Sequence, residues 1–172
     1  MLKRIAILIA VALSIVIALS IVFLLVSSFA KDETTRNESG QIETSGQIDT
    51  YEIKVGDCLN NVPPPDSDEL FADVLGVPCN EPHNYQVYFI GELNKLKMTE
   101  YSQAMINKAA GNLCFGEKKQ VFASLSESAK REYSAMPASP FFPSAESWNS
   151  GEKTVQCVIG DDRYKHSTSI FD

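Results

Sequence analysis

Histidine and cysteine are scarce in this sequence, and their spacing removes most metal and redox chemistry at the outset. The 172 residues include two histidines, His83 and His166, and four cysteines, Cys58, Cys79, Cys114 and Cys157, separated by 21, 35 and 43 positions. No C-x-x-C pair occurs, so neither the paired thiolates of a structural zinc site nor a thioredoxin-type redox motif is present. The G-x-S-x-G elbow, the H-E-x-x-H helix and an S-x-x-K with companions are missing too, which excludes the common hydrolase signatures. No metal or cofactor ligand set is expected.

Positive charge is also in short supply. Fifteen Lys and Arg stand against twenty-two Asp and Glu, and beyond residue 30 the balance is thirteen against twenty-two, a net charge of −9. Such a surface repels phosphate backbones and anionic headgroups, so nucleic-acid binding is not expected.

What the chain does have is one long apolar run. Lys3 and Arg4 precede uninterrupted apolar and small residues from Ile5 to about Ala30, with only Ser14 and Ser20 polar between Ile5 and Val26. Twenty-two residues at about 1.5 Å each make a helix of about 33 Å, long enough to cross a hydrocarbon core of about 30 Å. Basic residues ahead of the run and no basic excess after it put the N-terminus in the cytoplasm and the remainder outside. Ser28-Phe29-Ala30 loosely fits a cleavage site, but a signal-peptide core has only about 7 to 15 residues. Residues 1–30 are therefore expected to be an uncleaved transmembrane signal anchor, in the bilayer through residues 5–26. With no cysteine behind the run until Cys58, a lipoprotein is not expected.

Residues 31–50, KDETTRNESGQIETSGQIDT, are polar and contain the tandem hexamers SGQIET and SGQIDT. Two copies are too few for a solenoid, and Ile42 and Ile48 are the only large apolar side chains, so the stretch reads as a flexible extracytoplasmic linker. From Tyr51 the pattern changes. YEIKVGDCL alternates as a half-buried strand ending at Cys58, and Pro63, Pro64 and Pro65 impose an extended excursion before Phe71–Leu75 leads back to Cys79. YQVYFIGEL reads as a central strand, with Tyr85, Val87 and Phe89 on one face and Gln86, Tyr88 and Ile90 on the other. A helix is expected over TEYSQAMINKAAGNLCF, capped by Thr99, with Ser102, Met105, Ile106, Ala109 and Leu113 near one face and Cys114 turned inward. EKTVQCVIG is a last strand, with Val155, Cys157 and Ile159 opposite Thr154, Gln156 and Val158. The tail from 161 to 172 is polar, and His166 reads as solvated.

Four isolated cysteines outside the cytosol are expected to form two disulfides, and the linear map favours Cys58 with Cys79 and Cys114 with Cys157. In CNEPHNYQVYF (79–89) the cystine reading makes Cys79 a pinned turn rather than a nucleophile, and His83 bonds to that turn and fixes the entry of the strand. Glu81, His83, Tyr85 and Trp148 are the candidate recognition residues. The fold expected is α+β: a small disulfide-stabilised domain over residues 51–160, with a mainly antiparallel sheet packed by one or two helices, followed by a polar C-terminal tail.

V-G-D-C-L (55–59), V-P-C-N-E-P-H-N-Y-Q-V-Y (77–88), Cys114 and W-N-S-G-E-K-T-V-Q-C-V (148–158) together resemble the septum-formation-related domain of actinobacterial membrane and secreted proteins. The resemblance covers about residues 51 to 160. It implies an extracytoplasmic domain at the cell envelope, with Cys58, Cys79, Cys114 and Cys157 as its structural core. The chain departs from the family in carrying Gln86 where a Glu is usual and Lys153 where an Arg is common, and Lys lacks the bidentate fork of Arg.

The functional expectation is a non-catalytic, single-pass membrane-anchored interaction domain whose partner is an envelope or division protein or a cell-wall component. Two other readings compete with it. One is a small-ligand module with Trp148, Phe141 and Phe142 around an apolar pocket, and the other is an envelope hydrolase using His83 with Glu81 or Asp57 as its carboxylate.

Overall fold

The computed structural model describes residues 33–62, 73–94 and 100–172, together with Ile15, Ile17 and Ser20. The chain divides into two units, Met1–Asp32 and Glu33–Asp172. In the first, Ile15, Ile17 and Ser20 are helical and exposed; the rest of the expected span, like Pro63–Pro65, Phe71 and Thr99, lies outside the described residues. Among the described residues no helix is long and apolar enough to cross a membrane.

The second unit is α+β. Alternating and β-branched stretches form strands β1 (Thr35–Arg36), β2 (Ile42–Thr44), β3 (Gly46–Asp49), β4 (Cys58–Asn60), β5 (Asp73–Val77), β6 (Tyr85–Glu92), β7 (Ala138–Phe141) and β8 (Thr154–Gly160). β3 to β8 make one antiparallel sheet in the order β3-β5-β4-β6-β8-β7, while β1 and β2 pair as a separate hairpin. Three α-helices and one 3-10 turn accompany them among the described residues: α1 (Gln103–Ser124), α2 (Glu127–Tyr133), α3 (Ala145–Asn149) and the turn Thr50–Glu52. The turn stands where the alternation of YEIKVGDCL suggested a strand, so that β4 starts only at Cys58. The hydroxyls of Ser126 and Ser144 cap α2 and α3 by accepting from Ala129 N and Ser147 N, which satisfies amides that the first helical turn leaves open.

Strand period sorts the core onto the two faces of the sheet. Val155, Cys157 and Ile159 of β8 pack with Tyr88 of β6, with Ile106, Ala110 and Cys114 of α1, and with Tyr133 and Trp148. Val158 points the other way, into a cluster of Val87, Leu59, Val74, Ile42, Ile48 and Phe141. The alternation of β6 is broken by a register shift between Val87 and Phe89. This bulge moves Phe89 to the helix side with Tyr88 and Ile90 to the opposite side with Val87 and Tyr85. Strict alternation had paired them the other way, because period-2 reading cannot see an inserted residue.

α1 begins after Ser102 and continues through Gly116 to Ser124, about two turns beyond the expected end. Its buried line is Ile106, Ala110 and Cys114, at spacings of four, with Ala109 and Leu113 flanking, while Met105 is 49% exposed. The Cys114–Cys157 disulfide and a 2.6 Å bond from the Tyr88 hydroxyl to the Cys114 carbonyl set this rotation. Both are long-range in sequence, so helical spacing alone placed Met105 on the wrong side.

Residues 33–49 are not a tether. The two hexamers fold differently: Gly40 of the first takes a left-handed turn (φ 81°) between β1 and β2, whereas Gly46 of the second starts β3. Ile42 and Ile48, 7% and 1% exposed, are both core residues. A Cβ at Gly76 would lie 2.8 Å from Ile42 Cδ1 and 2.9 Å from Thr34 Cγ2, so β5 carries glycine where this segment crosses the sheet. The hairpin is fastened by Arg36, whose guanidinium makes a two-pronged pair of 2.6 and 2.7 Å with the buried Asp57 carboxylate.

Nor is the tail peripheral. Ile170 is wholly buried, and His83 and His166 exchange both backbone hydrogen bonds at 2.8 Å. The Asn84 carboxamide donates to the carbonyls of Asp161, Asp162 and Tyr164, and the Tyr133 hydroxyl donates to Thr168 O at 2.7 Å. The strap is held through its backbone while most of its polar side chains stay exposed, so composition gives no sign of it; His166, expected to be solvated, has a side chain only 11% exposed.

Candidate recognition groove

Both disulfides form with the expected pairing, Cys58–Cys79 and Cys114–Cys157. The second is deep in the helix-side core, with Cys114 and Cys157 at most 1% exposed. The first joins the start of β4 to the turn after β5 and belongs to the lining of an open groove of about 840 Å³. Four segments far apart in sequence meet there: the β1–β2 hairpin, the V-G-D-C loop before β4, the chain from Val77 to Glu81, and the end of the strap from Ser169.

Gln86 holds two of these walls together. Its side chain is 1% exposed; Nε2 donates to Gly56 O (3.0 Å) and to Ser169 Oγ (2.9 Å), and Oε1 accepts from Ile170 N (2.7 Å). The third wall is fixed by Arg36, since Asp57 accepts from its guanidinium and from Lys54 N at 2.7 Å. Every polar connection is charge-assisted or buried, the condition under which hydrogen bonds rigidify a site.

Of the candidate recognition residues, Glu81 alone faces the groove. It is exposed, and its Oε2 accepts from Ser45 Oγ at 2.9 Å. His83 is 1% exposed, and its Nδ1 lies 2.9 Å from the Glu81 carbonyl. A carbonyl can only accept, so Nδ1 carries the proton and Nε2 is a bare acceptor, without a partner among the described residues. Burial lowers the pKa of His83 from its usual value, with the cationic form of His166 adding to the effect against the Glu81 carbonyl. Tyr85 is half-buried, and burial together with a bond to Asp162 pushes its hydroxyl up to about 12. Trp148 is in the helix-side core with Lys153 Nζ 3.6 Å from its ring centre, and that ammonium also donates to Trp148 O.

The pairings required by the competing readings are not assembled. Glu81 and Asp57, the two carboxylates considered for His83, are bonded to Ser45 and to Arg36 with Lys54 N, respectively. The imidazole that does meet a carboxylate is His166, 2.9 Å from Glu132 Oε1 and tilted by 43° against the Tyr133 ring at 4.8 Å between centres. Phe141 belongs to one core cluster and Trp148 and Phe142 to the other, on opposite faces of the sheet, so the three rings share no cavity among the described residues. Gln86 and Lys153 stand near opposite ends of the β6–β8 ladder, where Gln86 pairs with Ile159 and Glu92 with Thr154. A side-chain pair at those two positions does not form in this register.

Comparison with protein-family models, with curated proteins and with solved structures finds no match to this chain.

Sequence reasoning missed Arg36, the hub role of Gln86, Glu132 and Phe171. Arg36 meets Asp57 across 21 positions and Gln86 meets Ile170 across 84, and no local pattern marks either pair. For Phe171 a signal existed: Ile170 and Phe171 are the only large apolar residues in a polar tail other than Tyr164.

Proposed function

We propose that the chain is a membrane-anchored interaction module of the cell envelope. Residues 5–26 hold it in the bilayer with the N-terminus cytoplasmic, and residues 33–172 stand on the extracytoplasmic side as a non-catalytic recognition domain. The observation that carries this reading is the pair of core disulfides. Cys58, Cys114 and Cys157 are 0–1% exposed, so the domain depends on bonds that persist in an oxidising compartment, and the apolar run ahead of them is the part of the chain suited to export. The resemblance to septum-formation-related domains supports the envelope setting and a partner at the division site.

The recognition surface in this reading is the groove over Cys58–Cys79, because its walls are held before any partner arrives and little ordering is left to oppose binding. The test uses the full-length chain in its own membrane. A membrane-impermeant cross-linker added to intact cells should join it to an envelope component through residue 33 or beyond, and a Cys114→Ser variant that disrupts the domain should lose that product. An identical cross-linking pattern in the two proteins would refute the reading.

A further inference from the structure

We infer that the groove over the Cys58–Cys79 disulfide takes an extended polypeptide segment in which lysine or arginine alternates with apolar residues. The inference rests on the interaction reading above and specifies the chemistry of its partner. Three features argue for it together.

The first is charge. Glu43, Glu81 and Asp172 are exposed on the groove lining, and Lys54 stands against them as the one cation among the described lining residues without a carboxylate partner. Asp57 adds nothing to this field, because Arg36 neutralises it from behind. A cationic segment is therefore attracted here and an anionic one repelled, within the Debye length of about 8 Å at physiological salt.

The second is the alternation of wall chemistry. Val55, 52% exposed, and Phe171, 46% exposed, are large apolar side chains on the same groove as the carboxylates. Exposed apolar surface in a concave, held site marks binding of something that is itself partly apolar. Gln41 and Asn80 also line the groove, and carboxamide side chains can bond backbone amides and carbonyls. An extended chain offers all three at once: charged and apolar side chains at alternate positions and backbone polar groups between them. A single metal ion or small cation would leave Val55 and Phe171 unused.

The third is rigidity. The two walls bearing Val55 and Phe171 are joined through Gln86, which bonds Gly56 O on one side and Ser169 Oγ and Ile170 N on the other. The groove is thus a preformed receptor.

The experiment uses the full-length chain in uncharged detergent micelles and fluorescein-labelled peptides (Lys-Val)5, (Gln-Val)5 and (Glu-Val)5, with binding read by anisotropy at physiological salt. The Lys peptide should bind, and the Gln and Glu peptides should bind at least about tenfold more weakly. Glu43→Lys with Glu81→Lys should weaken the Lys peptide about tenfold or more, while Glu92→Lys with Glu100→Lys, the same change of net charge on exposed residues away from the groove, should change it less than twofold. Phe171→Ala should weaken it severalfold without altering the preference for Lys over Gln. Equal loss with both charge pairs means bulk attraction and overturns the inference, as does equal binding of the three peptides. Millimolar calcium that binds the wild type but not the Glu43/Glu81 pair, with no peptide bound, reassigns the carboxylates to metal and also overturns it. Failure here with cross-linked envelope products intact leaves the interaction reading standing, whereas loss of those products with peptide binding intact removes that reading instead.

Discussion

Gln86 uses both ends of its carboxamide, and the site needs a donor at one end and an acceptor at the other. Gly56 O needs a donor and Ile170 N needs an acceptor. In Gln86→Glu the second contact survives, but a carboxylate oxygen then faces the Gly56 carbonyl in a site that is 1% exposed. Burial and that carbonyl raise the carboxyl pKa above its unfolded value of about 4.3. A group raised on folding contributes fully below the unfolded pKa and loses its contribution as pH rises through the folded one. Urea melts should therefore find Gln86→Glu close to wild type at pH 4 and about 2 kcal/mol or more less stable at pH 8. A constant difference across that range would contradict the hub assignment. His83 gives the opposite sign. Its pKa is lowered by burial, so the unfolded chain takes up the proton first, and the His83 contribution is complete above about pH 6.5 and lost as pH falls toward the folded pKa. Its ring faces His166, which Glu132 and Tyr133 contact in turn. An NMR titration of the His83 ring should give a midpoint under 6.5, and a midpoint at or above that value would place the ring in solvent.

At the level of elements, two substitutions separate the roles of helix and hairpin. Gly111 lies inside α1, and a Cβ there meets nothing within 4 Å. Gly111→Ala should stabilise the domain by about 1 kcal/mol, read as a higher denaturation midpoint with an unchanged slope. Arg36→Met should destabilise it by about 3 kcal/mol, because it leaves the 4% exposed Asp57 carboxylate with a backbone donor but no cation. Had residues 31–50 been a tether, that substitution would cost nothing. The difference shows what was legible in the sequence. β6, β8, α1 and both cystine pairings announced themselves through alternation, helical spacing and the order of cysteines, since those signals are local or few in number. The alternation of Tyr51, Ile53 and Val55, by contrast, misled: Thr50–Glu52 is a 3-10 turn, Tyr51 and Val55 are exposed, and β4 starts only at Cys58. Residues 33–49, hairpin and β3 together, did not announce themselves, because Ile42 and Ile48 are their only large apolar side chains and Arg36 finds its carboxylate only in the folded chain. The strap from 161 to 172 was hidden for the same reason: Asn84, Gln86 and Tyr133 recognise its backbone carbonyls and amides, which every residue type carries alike. The groove inherits both omissions, since hairpin and strap form two of its walls, and of its lining the sequence marks only Asp57, Cys58, Cys79 and Glu81 as candidate site residues.

For the whole molecule, the account joins a sheet with two covered faces to a pair of crosslinks that close loops of 21 and 43 residues. Loops of that length restrict the unfolded chain by about 3 to 4 kcal/mol each, comparable to a large share of the stability of a single domain. Such a domain needs an oxidising compartment to form. That requirement is the link between its structure and the proposal that it is exported and held at the membrane. The most direct measurement is mass spectrometry of the full-length chain, extracted from its own membrane under non-reducing conditions with free thiols blocked before lysis. The account predicts an N-terminus ahead of residue 5, no blocked cysteine, and the peptide pairs Cys58–Cys79 and Cys114–Cys157. Blocked thiols at these positions, or an N-terminus at Lys31, would contradict it.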